Sequence, residues 1–154
     1  MDSRSRWFTV GLALAAATSF AIAVQTAWWG IAEVAIGPFG SRHCFGGECR
    51  EAGLAWTGGS ELWMRSAVAT RAAGYIAMFV LIMFAGAIAA KREPKIVARG
   101  CLAAIVTAIA TGAYFYVGYP GVGGASVAAG FLFYVGAIVA GVAAIVLFLR
   151  RARR

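Results

Sequence analysis

Long apolar segments alternate with short polar ones along the chain. Four apolar segments cover about residues 7–36, 67–90, 96–117 and 125–149. Each reaches or exceeds the roughly 20 residues that a helix needs to cross the hydrocarbon core of a bilayer. Because lipid offers the backbone no hydrogen bonds, each segment is expected to be helical. The pattern predicts an all-α membrane protein, a single domain over residues 1–154 that forms an antiparallel four-transmembrane helix bundle.

The composition agrees with a membrane class and argues against a soluble domain. The chain of 154 residues is 62% hydrophobic and only 13% charged. A soluble domain carries about 25% charged residues, and this chain has too few to cover its surface in water.

The placement of basic residues predicts the orientation of the bundle. They cluster before the first span, between the second and third, and after the fourth: Arg4, Arg6, Lys91, Arg92, Lys95, Arg99, Arg150, Arg151, Arg153 and Arg154. With four spans these clusters share one side, which the positive-inside rule assigns to the cytoplasm. We therefore expect both termini to be cytoplasmic in a multi-pass plasma-membrane protein, of the bacterial inner membrane by its Ala-, Gly- and Arg-rich composition. The net charge of +8 follows from topology, so we expect membrane lipids and no nucleic acid as partners.

The first apolar segment also has features of a cleavable signal peptide. Arg4 and Arg6 precede an apolar run, and Ala21-Ile22-Ala23 resembles a cleavage site. The apolar run continues well past Ala23, so we expect a retained first span.

The outer loop, residues 37–66, is the one long polar interruption and contains Cys44 and Cys49. The predicted orientation puts both cysteines in an oxidising compartment, where a disulfide is the default. Gly46 and Gly47 between them allow a tight reversal. A redox-active pair is the alternative, but it would need a second cysteine pair, and Cys101 is alone.

The remaining polar residues of the chain form no catalytic or metal-binding pattern. His43 and Glu48 beside the cysteines fit no common ligand spacing, so no metal is expected. A Ser-His-Asp arrangement is excluded because the only histidine is His43 and the only aspartate, Asp2, falls on the other side of the membrane. Glu33 and Arg71 are the charges that enter the predicted spans furthest from the outer side, and we expect them to form an outer-face ion pair.

Small and aromatic residues mark the expected packing and the expected boundaries. Ala108 with Gly112 and Ala137 with Gly141 have the four-residue spacing that lets helices approach closely, as does Gly136 with Ala140. Packing within the bundle is favoured over a dimer face. An aromatic belt is predicted at the outer boundary, and it comprises Trp28, Trp29, Trp63, Tyr114, Tyr116 and Tyr119.

The layout and residues 28–71 resemble the claudin and peripheral myelin protein superfamily of tetraspan proteins. That family has an outer-loop pattern of Trp…Gly-Leu-Trp…Cys…Cys. Here Trp28 or Trp29, the tripeptide Gly37-Pro38-Phe39 and the two loop cysteines take those places. The stretch Glu61–Thr70 reads like the loop-to-helix junction of the myelin branch. The resemblance implies cytoplasmic termini, a non-enzymatic role in protein contact and, because the loop is short, at most a small hairpin-rich sheet.

The sequence therefore predicts a non-enzymatic, claudin-like tetraspan that acts in protein–protein contact or membrane organisation through its first outer loop. The expected contact residues are Trp28, Trp29, Phe39, Phe45, Trp56 and Trp63. The partner would be another protein or a second copy of this chain, met through the loop or the small-residue helix faces, and no cofactor is expected. Two alternatives stay open: a small accessory subunit of a larger respiratory or transport complex, and a membrane thiol oxidoreductase.

Overall fold

A computed structural model describes residues 3–92 and 95–151 and shows the expected helix bundle. Helices α1 (Ser3–Ala23), α2 (Glu61–Ala89), α3 (Lys95–Val117) and α4 (Ala129–Arg151) run alternately up and down. All four are long and apolar enough to cross a membrane. Helix α1 packs against α2 and α4, and α2 packs against α3, whereas α3 and α4 touch each other less. The four predicted spans are thus present as helices.

The end of the bundle opposite the sheet carries the basic residues of the described chain, including Arg4, Lys91 and Arg150. Arg153 and Arg154 of the predicted C-terminal cluster lie outside the described residues.

The first predicted span is wrong in its second half. It was expected to continue to about Ile36, but α1 ends at Ala23. The residues that follow are apolar because they enter a buried sheet: Trp28 and Ile36 are fully buried there. A buried strand needs the same apolar side chains as a membrane span, so composition alone extends the span too far.

The chain outside the helices forms a five-stranded antiparallel sheet at one end of the bundle. Its strands are β1 (Trp29–Ile31), β2 (Val34–Gly37), β3 (Gly40–Phe45), β4 (Glu48–Ala52) and β5 (Ser126–Val127), in the order β4-β3-β2-β1-β5. A 3₁₀ helix, Ala55–Thr57, follows β4. The sheet is larger than the expected hairpin-rich one because β1 comes from the presumed first span and β5 from the connection between α3 and α4.

Small residues let the helices approach closely within the bundle. A Cβ at Gly112 would lie 2.6 Å from the Tyr134 ring, and one at Gly141 would lie 2.8 Å from Ile105. A Cβ at Gly136, in contrast, would meet nothing within 4 Å. The faces of Ala108 with Gly112 and of Ala137 with Gly141 therefore serve packing inside the bundle, as favoured above, whereas Gly136 faces outward.

An aromatic cluster joins the sheet to the sheet end of the helices. Trp28 packs on Phe115 and Tyr134, with ring centroids 5.4 and 4.8 Å apart. Trp63 stacks on Phe115 and donates its indole N–H to the Phe115 carbonyl at 2.8 Å. Aromatic pairs in these geometries add stabilisation beyond their buried area. The sheet is therefore held rigidly on the bundle.

Backbone hydrogen bonds reinforce this attachment. The Ala128 N–H donates to the Trp28 carbonyl at 2.8 Å, and the Gly130 N–H donates to the Ala27 carbonyl at 2.9 Å. The start of α4 is thus bonded to the segment that leads into β1. Helix and sheet share one backbone network at this point.

Candidate functional site

The tip of the β3–β4 hairpin is closed by the predicted disulfide, which the structure confirms. Cys44 and Cys49 face each other in the β3–β4 register and are joined by their sulfurs. Gly46 and Gly47 form the two-residue turn, with φ of 60° and 86°. A turn with positive φ at both central positions suits glycine and matches the twist of the flanking strands. The covalent link and the turn together fix the shape of the tip.

Two large aromatic side chains are exposed on this part of the loop. Phe45 is 60% exposed at the hairpin tip, and Trp56 is 43% exposed on the 3₁₀ helix. The His43 ring lies between them, with its centroid 5.0 Å from that of Trp56 and 6.3 Å from that of Phe45. We call His43, Phe45 and Trp56 the tip patch.

Ser41 fixes the tip patch from below. Its buried hydroxyl lies 3.0 Å from the Gly53 carbonyl and accepts a hydrogen bond from the Trp56 indole N–H at 2.9 Å. The His43 Nε2 lies 3.1 Å from the same oxygen. Because the single hydroxyl proton is directed to a backbone carbonyl, the histidine must donate rather than accept. Ser41 and His43 therefore do not form a nucleophile and base, and they act as a brace for Trp56.

The other expected contact residues are not available at the surface. Trp28, Trp29 and Trp63 are 0%, 4% and 1% exposed, so their proposed contact role is corrected. They belong to the cluster that anchors the sheet, which also corrects their placement in an aromatic belt. Phe39 is half-buried and lines a cavity beneath the sheet. Of the six expected contact residues, Phe45 and Trp56 form an exposed pair.

Tyr119 belongs to the same anchor. Its ring stacks on Trp29 with centroids 4.2 Å apart. Burial raises the pKa of the Tyr119 phenol above its ordinary value, so the group is neutral at physiological pH.

The edge of the sheet next to the tip patch is charged and solvated. All five residues of β4 are exposed. Arg42 lies 3.2 Å from Glu51, and Arg50 lies 3.6 Å from Glu48. Charged side chains along an edge strand discourage unspecific strand pairing. The aromatic side chains of the tip patch, rather than the β4 backbone, are therefore the adhesive part of this surface.

A cavity of about 250 Å³ lies between the sheet and α2. Its walls are the β2–β3 turn (Pro38, Phe39 and Gly40), the segment after β4 (Ala52, Gly53 and Leu54), and the α2 residues Met64, Ala67, Val68 and Arg71. The α2 residues follow i, i+3, i+4 and i+7 spacing, which puts them on one face of the helix. This spacing is visible in the sequence, but the cavity is not, because its other walls come from the sheet.

The expected ion pair between Glu33 and Arg71 is not formed. Glu33 lies in the turn before β2, whereas Arg71 lies beside the turn that follows β2. A four-residue strand spans roughly 13 Å at about 3.3 Å per residue, so the two side chains stand at opposite ends of it. The prediction failed because it treated Glu33 as part of a helix.

The third cysteine lies apart from the disulfide. Cys101 is buried in α3, and its thiol donates to the Val80 carbonyl at 3.4 Å. Within residues 3–92 and 95–151, no group of three or more His, Cys, Asp or Glu side chains is arranged to hold a metal ion.

Known proteins offer no match to this chain. No family model matches it, and neither a curated protein nor a solved structure is similar to it. The functional argument therefore rests on the residues and their geometry.

Proposed function

We propose that the chain is a non-enzymatic membrane tetraspan that acts through protein contact at the tip patch, with the sheet on the outer side of a plasma membrane. One observation carries the proposal: two large aromatic side chains are exposed on a loop that is otherwise pinned at every level. Phe45 sits on a disulfide-closed turn, and the Trp56 indole is held by Ser41. Rigid, exposed aromatic residues are typical of the centres of protein interfaces, because little side-chain entropy is lost on binding.

The fold supports a claudin-like interpretation of that role. Four apolar helices carry one sheet built mainly from the first loop, with the cysteine pair in facing strands. Placing the sheet outside agrees with the basic residues at the other end of the bundle. A second copy of this chain is the simplest partner, because a homotypic contact needs only the patch described here.

The test is the size of the native protein in mild detergent. We expect the wild type to form oligomers whose members cross-link through the outer loop. Phe45→Ala with Trp56→Ala should yield monomers that keep the wild-type melting temperature. The matched control is Trp7→Ala with Phe8→Ala, which removes two aromatic residues of similar exposure (55% and 61%) from the opposite end of the bundle.

Two outcomes would contradict a homotypic contact. Oligomers that persist in the Phe45 and Trp56 double variant would show that the tip patch is not the interface. A monomeric wild type that copurifies with a different membrane protein in fixed ratio would instead favour the accessory-subunit role.

A further inference from the structure

Arg71 is set apart from the other arginines at the sheet end of the molecule. Arg42, Arg50 and Arg65 each lie within 4 Å of a glutamate, at 3.2, 3.6 and 2.5 Å. The Arg71 guanidinium has no ion pair or side-chain hydrogen bond with any residue of the described chain. It is half-buried and forms part of the wall of the cavity beneath the sheet.

An unpaired, half-buried guanidinium costs free energy. Burial removes part of its water, and a charge in apolar surroundings needs a partner to offset that loss. The cavity beside Arg71 is lined mainly by apolar side chains, among them Phe39, Leu54 and Met64. The site therefore combines one cation with an apolar wall, which suits an anion attached to a hydrocarbon body.

The depth of Arg71 in the bilayer identifies where that anion would come from. Helix α2 has 29 residues, and at about 1.5 Å per residue it exceeds the roughly 30 Å hydrocarbon core by about 13 Å. Its far end is followed directly by Lys91 and Arg92, which belong at the membrane surface. Counting about 20 residues back from Ala90 reaches Arg71. The guanidinium then lies at the level of the lipid phosphates on the sheet side.

We propose that this cavity is a binding site for an anionic phospholipid, with the lipid phosphate paired to Arg71 and the apolar part of the lipid against Phe39 and Met64. Arginine suits this role because its planar fork donates two hydrogen bonds to one phosphate. Phe39 is braced from the solvent side, since the Arg42 guanidinium lies over its ring at 5.5 Å. Val68, 69% exposed, stands at the edge of the cavity where a lipid from the bilayer would enter.

Native mass spectrometry of the detergent-purified full chain tests the proposal, with phosphatidylglycerol as the probe and phosphatidylcholine as the zwitterionic comparison. We expect the wild type to retain phosphatidylglycerol preferentially. Arg71→Gln should weaken that retention about tenfold, the order expected for loss of one charge-assisted hydrogen bond. Arg65→Gln is the matched control, because it removes an α2 arginine that is paired with Glu61 and lies outside the cavity.

Further arms separate a lipid from other sources of phosphate. Inorganic phosphate and glycerol 3-phosphate should not compete with phosphatidylglycerol at millimolar concentration, since neither fills the apolar wall. Arg71→Lys keeps the charge and should retain an intermediate amount of lipid. Equal retention of the two lipids by the wild type would overturn the proposal. So would equal losses in Arg71→Gln and Arg65→Gln, or displacement of the lipid by inorganic phosphate. None of these arms involves Phe45 or Trp56, so the lipid site and the contact function can fail separately.

Discussion

At the scale of single residues, tight packing at a few positions determines how much change the bundle tolerates. Gly112 lies against the ring of Tyr134, which is 2% exposed and donates its hydroxyl to the Ala108 carbonyl at 2.9 Å. The ring is held on all sides and has no room to move aside. A methyl group at this position must therefore push the two helices apart.

Gly112→Ala should lower stability by about 1–3 kcal/mol, the usual cost of overpacking a close-packed core. Gly136→Ala is the matched control, because its Cβ would meet no atom within 4 Å. There the higher helix propensity of alanine should be neutral or stabilise by up to about 1 kcal/mol. Thermal melting in detergent measures both variants, and equal melting temperatures would contradict the packing described for Gly112.

The disulfide at the hairpin tip acts locally. Closing so short a loop contributes about 2 kcal/mol by the chain-entropy relation. Replacing Cys44 and Cys49 with serine should therefore loosen the hairpin and leave the helices intact. We expect trypsin to cleave the variant after Arg50 faster than the wild type, while the melting of the helices followed by circular dichroism changes little. Helices that melt at a much lower temperature in the variant would show that the clip supports the whole bundle.

At the scale of elements, the aromatic cluster attaches the sheet to the bundle. Trp63 lies in the first turn of α2, yet its side chain is stacked on Phe115 of α3 and is 1% exposed. The Ser60 side chain, which accepts a hydrogen bond from the Trp63 N–H at 3.2 Å, fixes where α2 begins. The same side chain thus sets both the start of a helix and its distance from the next one.

Trp63→Ala should cost about 3–5 kcal/mol, because it removes a large buried side chain and leaves the Phe115 carbonyl without its side-chain donor. Trp7→Ala serves as the control, since Trp7 is 55% exposed, and it should cost far less. Melting temperature and resistance of the outer loop to protease measure the effect. Similar losses in the two variants would argue against an anchoring role for Trp63.

The same cluster shows where sequence reasoning succeeds and where it fails. The four helices were predictable because length and apolar character decide a membrane span. The end of α1 at Ala23 was not, because Trp28 and Ile36 are as apolar in a buried strand as they would be in lipid. The cysteine pairing followed from spacing and two glycines. The cavity and the burial of Trp63 depend on contacts between distant segments, which no local pattern encodes.

At the scale of the whole molecule, the two ends differ in charge and shape. One end carries the sheet, and the other carries basic residues of the described chain. This asymmetry predicts a single orientation in the membrane, with the sheet outside.

Cysteine labelling with a membrane-impermeant reagent tests that orientation. Thr57→Cys should be labelled in intact cells, whereas Arg92→Cys should be labelled only after the membrane is permeabilised. Background is low because Cys44 and Cys49 are bonded and Cys101 is buried. Labelling of Arg92→Cys in intact cells would reverse the orientation and with it the outer placement of the tip patch.

The pairing of β1 with β5 has a consequence for biosynthesis. Gly30 and Ser126, which meet across these strands, are separated by 96 residues in sequence. During synthesis, the first loop emerges long before the segment that completes its sheet, so one side of β1 must wait unpaired until that segment arrives. An incomplete sheet with a bare strand edge is a target for quality control and for misassociation. Nascent chains that stall before the fourth helix should therefore depend on chaperones or be degraded, even though three of their helices are already inserted.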